Sequence, residues 1–146
     1  MNESLRGRAL RLLASREHSR LELKRKLATH AESSEALEAL LDELEKARLL
    51  ANDRYAEQRV TVRGGRYGNA RLAGELRSQG VDDATIANAL AQAGDETERA
   101  LAVWRKKFGS LPQDAQERAK QARFLAGRGF GSPTIRRVLQ GTWDDE

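Results

Sequence analysis

The side chains in this sequence best equipped for chemistry are its arginines. Of 26 Lys and Arg residues, 20 are Arg, whose planar fork of donors binds phosphate or carboxylate bidentately. They recur beside a copied pattern. Behind His18, Lys24, Arg25 and Lys26 surround Leu23 and Leu27; 49 residues on, behind Tyr67, Arg71 and Arg77 flank Leu72 and Leu76. A further 63 residues on, behind Phe130, Arg136 and Arg137 flank Ile135 and Leu139. Each copy has a ring, then a small residue, then two aliphatics four apart among cations. A copied unit predicts an array of similar modules, and basic modules in series suit a long anionic partner better than a small substrate.

Bond-breaking chemistry has no apparatus here. His18 and His30 are the only histidines, there is no Cys, and no metal-ligand spacing surrounds either ring. No glycine-rich loop ending in Lys-Ser/Thr appears, and Gly64, Gly65 and Gly68 do not follow a strand. The acid pairs Glu43/Glu45 and Asp82/Asp83 read as helix surface and cap, and no nucleophile stands beside a base. The expectation is a protein with no catalytic residue, no metal and no cofactor. Absence of Cys fits a reducing compartment. The start of the chain has no apolar run, and none elsewhere approaches membrane-spanning length. A cytoplasmic monomer with no membrane association is expected.

Charge alternates in blocks. Residues 1–30 carry +5, 31–53 carry −5, 54–77 carry +4, 78–98 carry −5, 99–137 carry +8 and the tail −3, within a net charge of +4. Two readings follow. The basic and acidic helices neutralise one another inside each module, or the basic ones form a stripe facing a polyanion.

The elements that must position these residues are helices. Leu37, Leu40, Leu41 and Leu44 share one helical face, and 49 residues later Ile86, Ala89, Leu90 and Ala93 repeat it. No stretch alternates with period two, so no strand is expected. Ser19 with Glu22 makes a capping box, Asp95/Glu98 and Asp114/Glu117 share its spacing, Asp82 is a cap, and Ser132-Pro133 reads as N-cap then first-turn proline. Gly80, Gly94 and Gly109 read as helix stops. Nine helices are predicted, near 3–15, 19–28, 34–47, 53–63, 69–78, 82–92, 95–108, 114–126 and 132–139. They group into three tandem three-helix repeats, an all-α fold divided at 1–50, 51–94 and 95–146. The last unit either lacks a third helix or uses 95–108 for it.

Lys24, Arg25, Arg66, Arg71, Arg77, Arg123, Arg128, Arg136 and Arg137 are the candidate binding cations, against the reading that they are solvated helix surface. Tyr67 joins them as a stacking ring, or else, like Phe130, plugs a small core. Arg105, Lys106 and Lys107 are explained by the dipole at a helix C-terminus, while Tyr55, Trp104 and Phe108 read as core. Trp143 either folds back onto the last repeat or stays free of it.

Three motifs carry a family resemblance: Asp53-Arg54-Tyr55-Ala56, the stretch Tyr67-Gly68-Asn69-Ala70-Arg71-Leu72-Ala73-Gly74-Glu75-Leu76, and Arg128-Gly129-Phe130. With Ala9–Arg16 and Arg123–Phe130 they make the chain resemble the RecX family over roughly residues 5 to 140. Leu72 stands where Ile is commoner, and His18 fills the aromatic slot of the first repeat. The resemblance implies a bacterial cytoplasmic regulator of the RecA recombinase, built as an elongated, curved array of three-helix repeats. It implies binding to the RecA–single-stranded DNA filament and suppression of its ATPase, strand-exchange and coprotease activities, with weak direct DNA binding. Two other outlines remain compatible with the helices: a helix-turn-helix DNA-binding protein and a helical protein–protein scaffold.

Overall fold

The computed structural model describes residues 3–141 and 143. Among them are nine α-helices and no strand: α1 Leu5–Ser15, α2 Arg20–Leu27, α3 Ser34–Lys46, α4 Asn52–Arg63, α5 Asn69–Ser78, α6 Asp83–Gln92, α7 Glu96–Lys107, α8 Ala115–Gly127 and α9 Ser132–Gln140. A 3₁₀ turn, Ala28–His30, extends α2. The fold is all-α, in tandem helical modules.

Side-chain caps start most of these helices. Ser4, Ser33, Asp82 and Asp114 each accept a first-turn amide. The Ser19 hydroxyl does so from Glu22 N at 3.1 Å. The return half of that box is missing, because the Glu22 carboxylate pairs with Arg16 instead. Asp95 caps through Thr97 rather than Glu98. At α9 the N-cap is Gly131, not Ser132, so Pro133 sits one position further in. Gly80, Gly94 and Gly109 end their helices with positive φ.

Three separate cores result. Ala9, Leu23, Leu27, Leu37, Leu40, Leu41, Leu44 and Leu50 fill the first, from α1–α3. Tyr55, Ala56, Val60, Leu72, Ala73, Leu76, Val81, Ile86 and Ala89 fill the second, from α4–α6. Ala100, Leu101, Trp104, Leu125, Phe130, Val138 and Leu139 fill the third, from α7–α9. The last unit therefore has three helices, with α7 as its first. Trp104 is buried there, its indole N–H donating to Gln121 Oε1 at 2.8 Å. Trp143 folds back over it, the rings 6.1 Å apart.

This corrects the register of the third copy. The helix after Phe130 is the third of its unit, whereas those after His18 and Tyr67 are second. Helix α9 crosses both α7 and α8, as α6 crosses both α4 and α5. The 49-residue spacing holds throughout: Tyr55 matches Trp104, Leu76 matches Leu125, Gly80 matches Gly129 and Val81 matches Phe130. Phe130 is thus a core plug in the place of Val81.

Two junctions join the units, and they are built alike. The first helical residue of one unit caps the second helix of the unit before it. Asn52 Oδ1 accepts Arg20 N at 2.8 Å, and Glu96 Oε2 accepts Asn69 N at 3.2 Å. Beside each cap lies a glycine turn: Gly80 against Leu21, and Gly129 against Arg71. In the second junction the backbones touch directly, Gly68 N donating to Arg128 O at 2.8 Å and Ala70 N to Gly129 O at 3.2 Å. Half-buried Arg99 fastens the same joint through Gly64 O (3.0 Å), Tyr67 O (2.9 Å) and Asn69 Oδ1.

A Cβ on Gly129, already at φ 92°, would lie 2.3 Å from Arg71 Cβ. Gly129→Ala is therefore expected to cost about 2 kcal/mol or more in urea unfolding. Gly74, in α5 with nothing within 4 Å of its would-be Cβ, gives the opposite sign: Gly74→Ala should add about 0.5–1 kcal/mol.

His18 is 1% exposed. Its Nδ1 lies 3.1 Å from Arg16 O and its Nε2 3.0 Å from Lys26 Nζ, so the neutral ring donates to the carbonyl and accepts from the ammonium. Burial, chiefly, with the charges of Arg16 and Lys26 holds its pKa below the ordinary value, against the pull of Arg16 O and Glu22. A depressed base binds fewer protons folded than unfolded, so its contribution is present above the unfolded pKa and lost as pH falls through it. Urea midpoints should decline from about pH 7 to pH 5.5, and His18→Phe should flatten that decline.

Candidate functional site

Helix α4 ends at Arg63, and a tight turn through Gly64 and Gly65 sets Tyr67 just before α5. Gly64 N donates to Val60 O at 2.7 Å, a closeness that leaves no room for a Cβ. The half-buried Tyr67 ring is met by three guanidinium groups: Arg71 at 4.2 Å, Arg63 at 4.5 Å and, from the next unit, Arg128 at 5.4 Å. Each gains from the negative ring face. Among the described residues Glu75 is the carboxylate that pairs with Arg63 and Arg71. It takes Arg63 through two hydrogen bonds, at 2.8 and 2.6 Å, and lies 3.7 Å from Arg71. The Glu75 carboxylate raises Arg63 above the usual guanidinium pKa.

Beside this cluster opens a cavity of about 620 Å³ between the second and third units. The turn before α5 contributes Gly65, Arg66 and Tyr67; α7 contributes Ala102, Val103, Lys106 and Lys107; Phe124 and Arg128 come from the end of α8. Among the described residues no carboxylate lines it. Phe124 stands edge-on to Phe108 at 5.5 Å, with Arg128 at 5.1 Å and Lys107 at 5.4 Å over its ring. Arg66, Lys106, Lys107 and Arg128 make no ion pair among the described residues.

The structure thus gathers Arg66, Tyr67, Arg71 and Arg128 at one junction. It adds Arg63, Lys106, Lys107 and Phe124, which sequence reasoning left out of the site. The cationic run 105–107 was visible, but a helix dipole sufficed to account for it. Nothing in the sequence placed it opposite Tyr67, which requires knowing how the units dock.

The other candidates lie elsewhere. Lys24 pairs with Glu38 at 2.6 Å, next to Arg20, which reaches Glu38 (2.6 Å), Asp42 (2.8 Å) and Glu45 on α3. Arg20 is held above the usual guanidinium range by these carboxylates, against the opposing effect of its burial. Arg77 pairs with Asp83 of α6 at 2.9 Å. In these places the acidic helices do neutralise the basic ones. Arg25 is exposed on α2 and Arg137 is exposed on α9. Arg123 and Arg136 join Arg118 around a second cavity of about 360 Å³ between α8 and α9, floored by Ala122, Ala126, Ile135 and Leu139. Among the described residues no group of His, Cys, Asp and Glu is placed to hold a metal ion, and no helix is long and apolar enough to cross a membrane.

Comparison with known proteins places this arrangement. Residues 53–90 match the second three-helix domain of RecX and residues 94–139 the third. The regulatory protein RecX of Herbaspirillum seropedicae is 49% identical over 144 residues, covering 98% of this chain and 94% of that one. That of Neisseria meningitidis serogroup B is 44% identical over 143 residues, with the same coverage of each. The crystal structure of RecX from Lactobacillus salivarius superposes with a TM-score of 0.82 at 19% identity, covering 94% and 93% of the two chains. At that identity the likeness speaks for the fold alone. With half-identical relatives matched nearly end to end and two family domains in order, the chain belongs to the RecX family of regulatory proteins.

Proposed function

We propose that this protein binds RecA–single-stranded DNA filaments in the cytoplasm and holds down the ATPase, strand-exchange and coprotease activities of RecA, within homologous recombination and DNA repair. The observation that carries the reading is the junction cluster, where Arg66, Lys106, Lys107 and Arg128 converge with no carboxylate among the described lining residues; relatives named as RecX regulators support it. A nucleoprotein filament is a repeating polyanion, and cations on a jointed array meet it at intervals. Residues 1–50, 51–94 and 95–146 act in this proposal as three docking modules, the last contributing most of the cations that make no ion pair among the described residues. The protein acts as a monomer, without catalysis of its own.

Titration into RecA on single-stranded DNA, with ATP hydrolysis followed, tests the proposal. Hydrolysis should fall as the protein is added, and an unchanged rate at stoichiometric protein would remove the reading. Arg71 is a poor choice for mutation, since it also donates to Gly127 O at 3.3 Å and leans on Glu75. Arg66→Glu combined with Arg136→Glu changes two exposed side chains and should raise the protein needed for half-inhibition roughly tenfold, with helicity intact.

A further inference from the structure

Cations alone would suit any anion, but this cavity also presents rings. Tyr67 and Phe124 both line it, each half-buried. Their faces carry guanidinium and ammonium groups, so the site alternates flat aromatic surface with positive charge. We propose that the junction between the second and third units is a single-strand nucleic-acid subsite, taking an unstacked base against Phe124 and Tyr67 while Arg66, Lys106, Lys107 and Arg128 hold the phosphates on either side.

Three features choose a single strand over the alternatives. At about 620 Å³ the cavity falls in the size range of small-ligand sites, so a base with its sugar can enter. A duplex cannot enter, because its base faces are already stacked on one another. An acidic peptide would satisfy the cations but has no flat group to take the place that Lys107 and Arg128 hold over the Phe124 ring. Base stacking is indifferent to sequence, because every base has a π-face. The subsite therefore adds affinity without selecting a sequence.

The fold makes this subsite composite. Arg66 and Tyr67 belong to the second unit, while Lys106, Lys107, Phe124 and Arg128 belong to the third. The Gly68–Arg128 and Ala70–Gly129 hydrogen bonds and the Arg99 bridge fix the two halves together. It rests on the filament-binding reading for its biological role, but binding is measurable with no RecA present.

The test uses the full chain and a fluorescein-labelled oligothymidylate, its duplex with oligodeoxyadenylate, and thymidine monophosphate as competitor. The single strand should bind at least roughly tenfold more tightly than the duplex, and the mononucleotide should compete only weakly, since it offers one phosphate. Phe124→Leu should weaken single-strand binding roughly tenfold and abolish quenching of a 2-aminopurine placed in the strand. Because Phe124 also packs on Phe108, Arg66→Gln and the pair Lys106→Gln with Lys107→Gln are exposed controls. The pair should shallow the salt dependence by about 1.4 in log–log slope, while Arg118→Gln in the other cavity should change nothing. Equal binding of duplex, wild-type affinity in the folded Phe124, Arg66 and Lys variants, or no single-strand binding overturns the subsite. If RecA ATPase is inhibited all the same, the proposed function stands without it. Single-strand binding by a protein that leaves the ATPase untouched gives the converse.

Discussion

The constraint on which the rest of this structure depends is the contact of backbone with backbone between Gly68 and the Arg128–Gly129 turn. An α-helix begins with amides that have no partner inside it, and α5 has no side-chain cap of its own. Its first amides are taken up by the following unit instead: Gly68 by Arg128 O, Asn69 by Glu96 and Ala70 by Gly129 O. The Arg20 amide at the start of α2 is met in the same way by Asn52. The second helices of the first two units, α2 and α5, thus gain N-terminal partners when the following unit docks. Opening the junction would return these amides to water and lose the Arg99 bridge with them, so the units are coupled although each has its own core.

Such coupling gives a small module a stability its thin core does not. The first core is made almost wholly of leucine and the third gathers around one tryptophan. In an array, stability is a sum of unit and interface contributions. The interfaces here are polar and geometrically exacting, so they set the angle between units as well as adding to their stability. Two junctions with matching parts, cap from the next unit plus a glycine turn against the second helix, make the placement of successive basic segments a property of the fold.

Much of this was legible in the sequence. Helical periodicity located all nine helices because Leu37, Leu40, Leu41 and Leu44 and their counterparts leave no other period. Glycine stops and serine or aspartate caps marked their ends. What misled was Phe130. An aromatic between glycines before a helix looks the same whether it opens a second helix or a third, and only its burial in the core beside Val138 and Leu139 settles which. The capping box at Ser19 misled for a related reason: Glu22 has the right spacing, but Arg16 offers it a stronger, charge-assisted partner. Arg128 was named from the sequence, but Lys106 and Lys107 on α7 and Phe124 on α8 were hidden because their place opposite Tyr67 depends on docking between units, and no local pattern encodes that.

The division of the cations follows from the same geometry. Exposed ion pairs contribute little to stability, so the pairing of Arg20 and Lys24 with α3, and of Arg77 with Asp83, mainly removes those cations from the field presented to a partner. At the second junction the balance runs the other way. Arg63, Arg71 and Arg128 face one ring with a single carboxylate, Glu75, between them. The ring moderates their repulsion but carries no charge to cancel it. Docking of the third unit brings Arg128 to this cluster and sets Lys106 and Lys107 beside it, so positive charge is concentrated by the act of assembly. A fold held by its Gly68–Gly129 contact therefore keeps an excess of positive charge at the joint, which the described carboxylates leave in place.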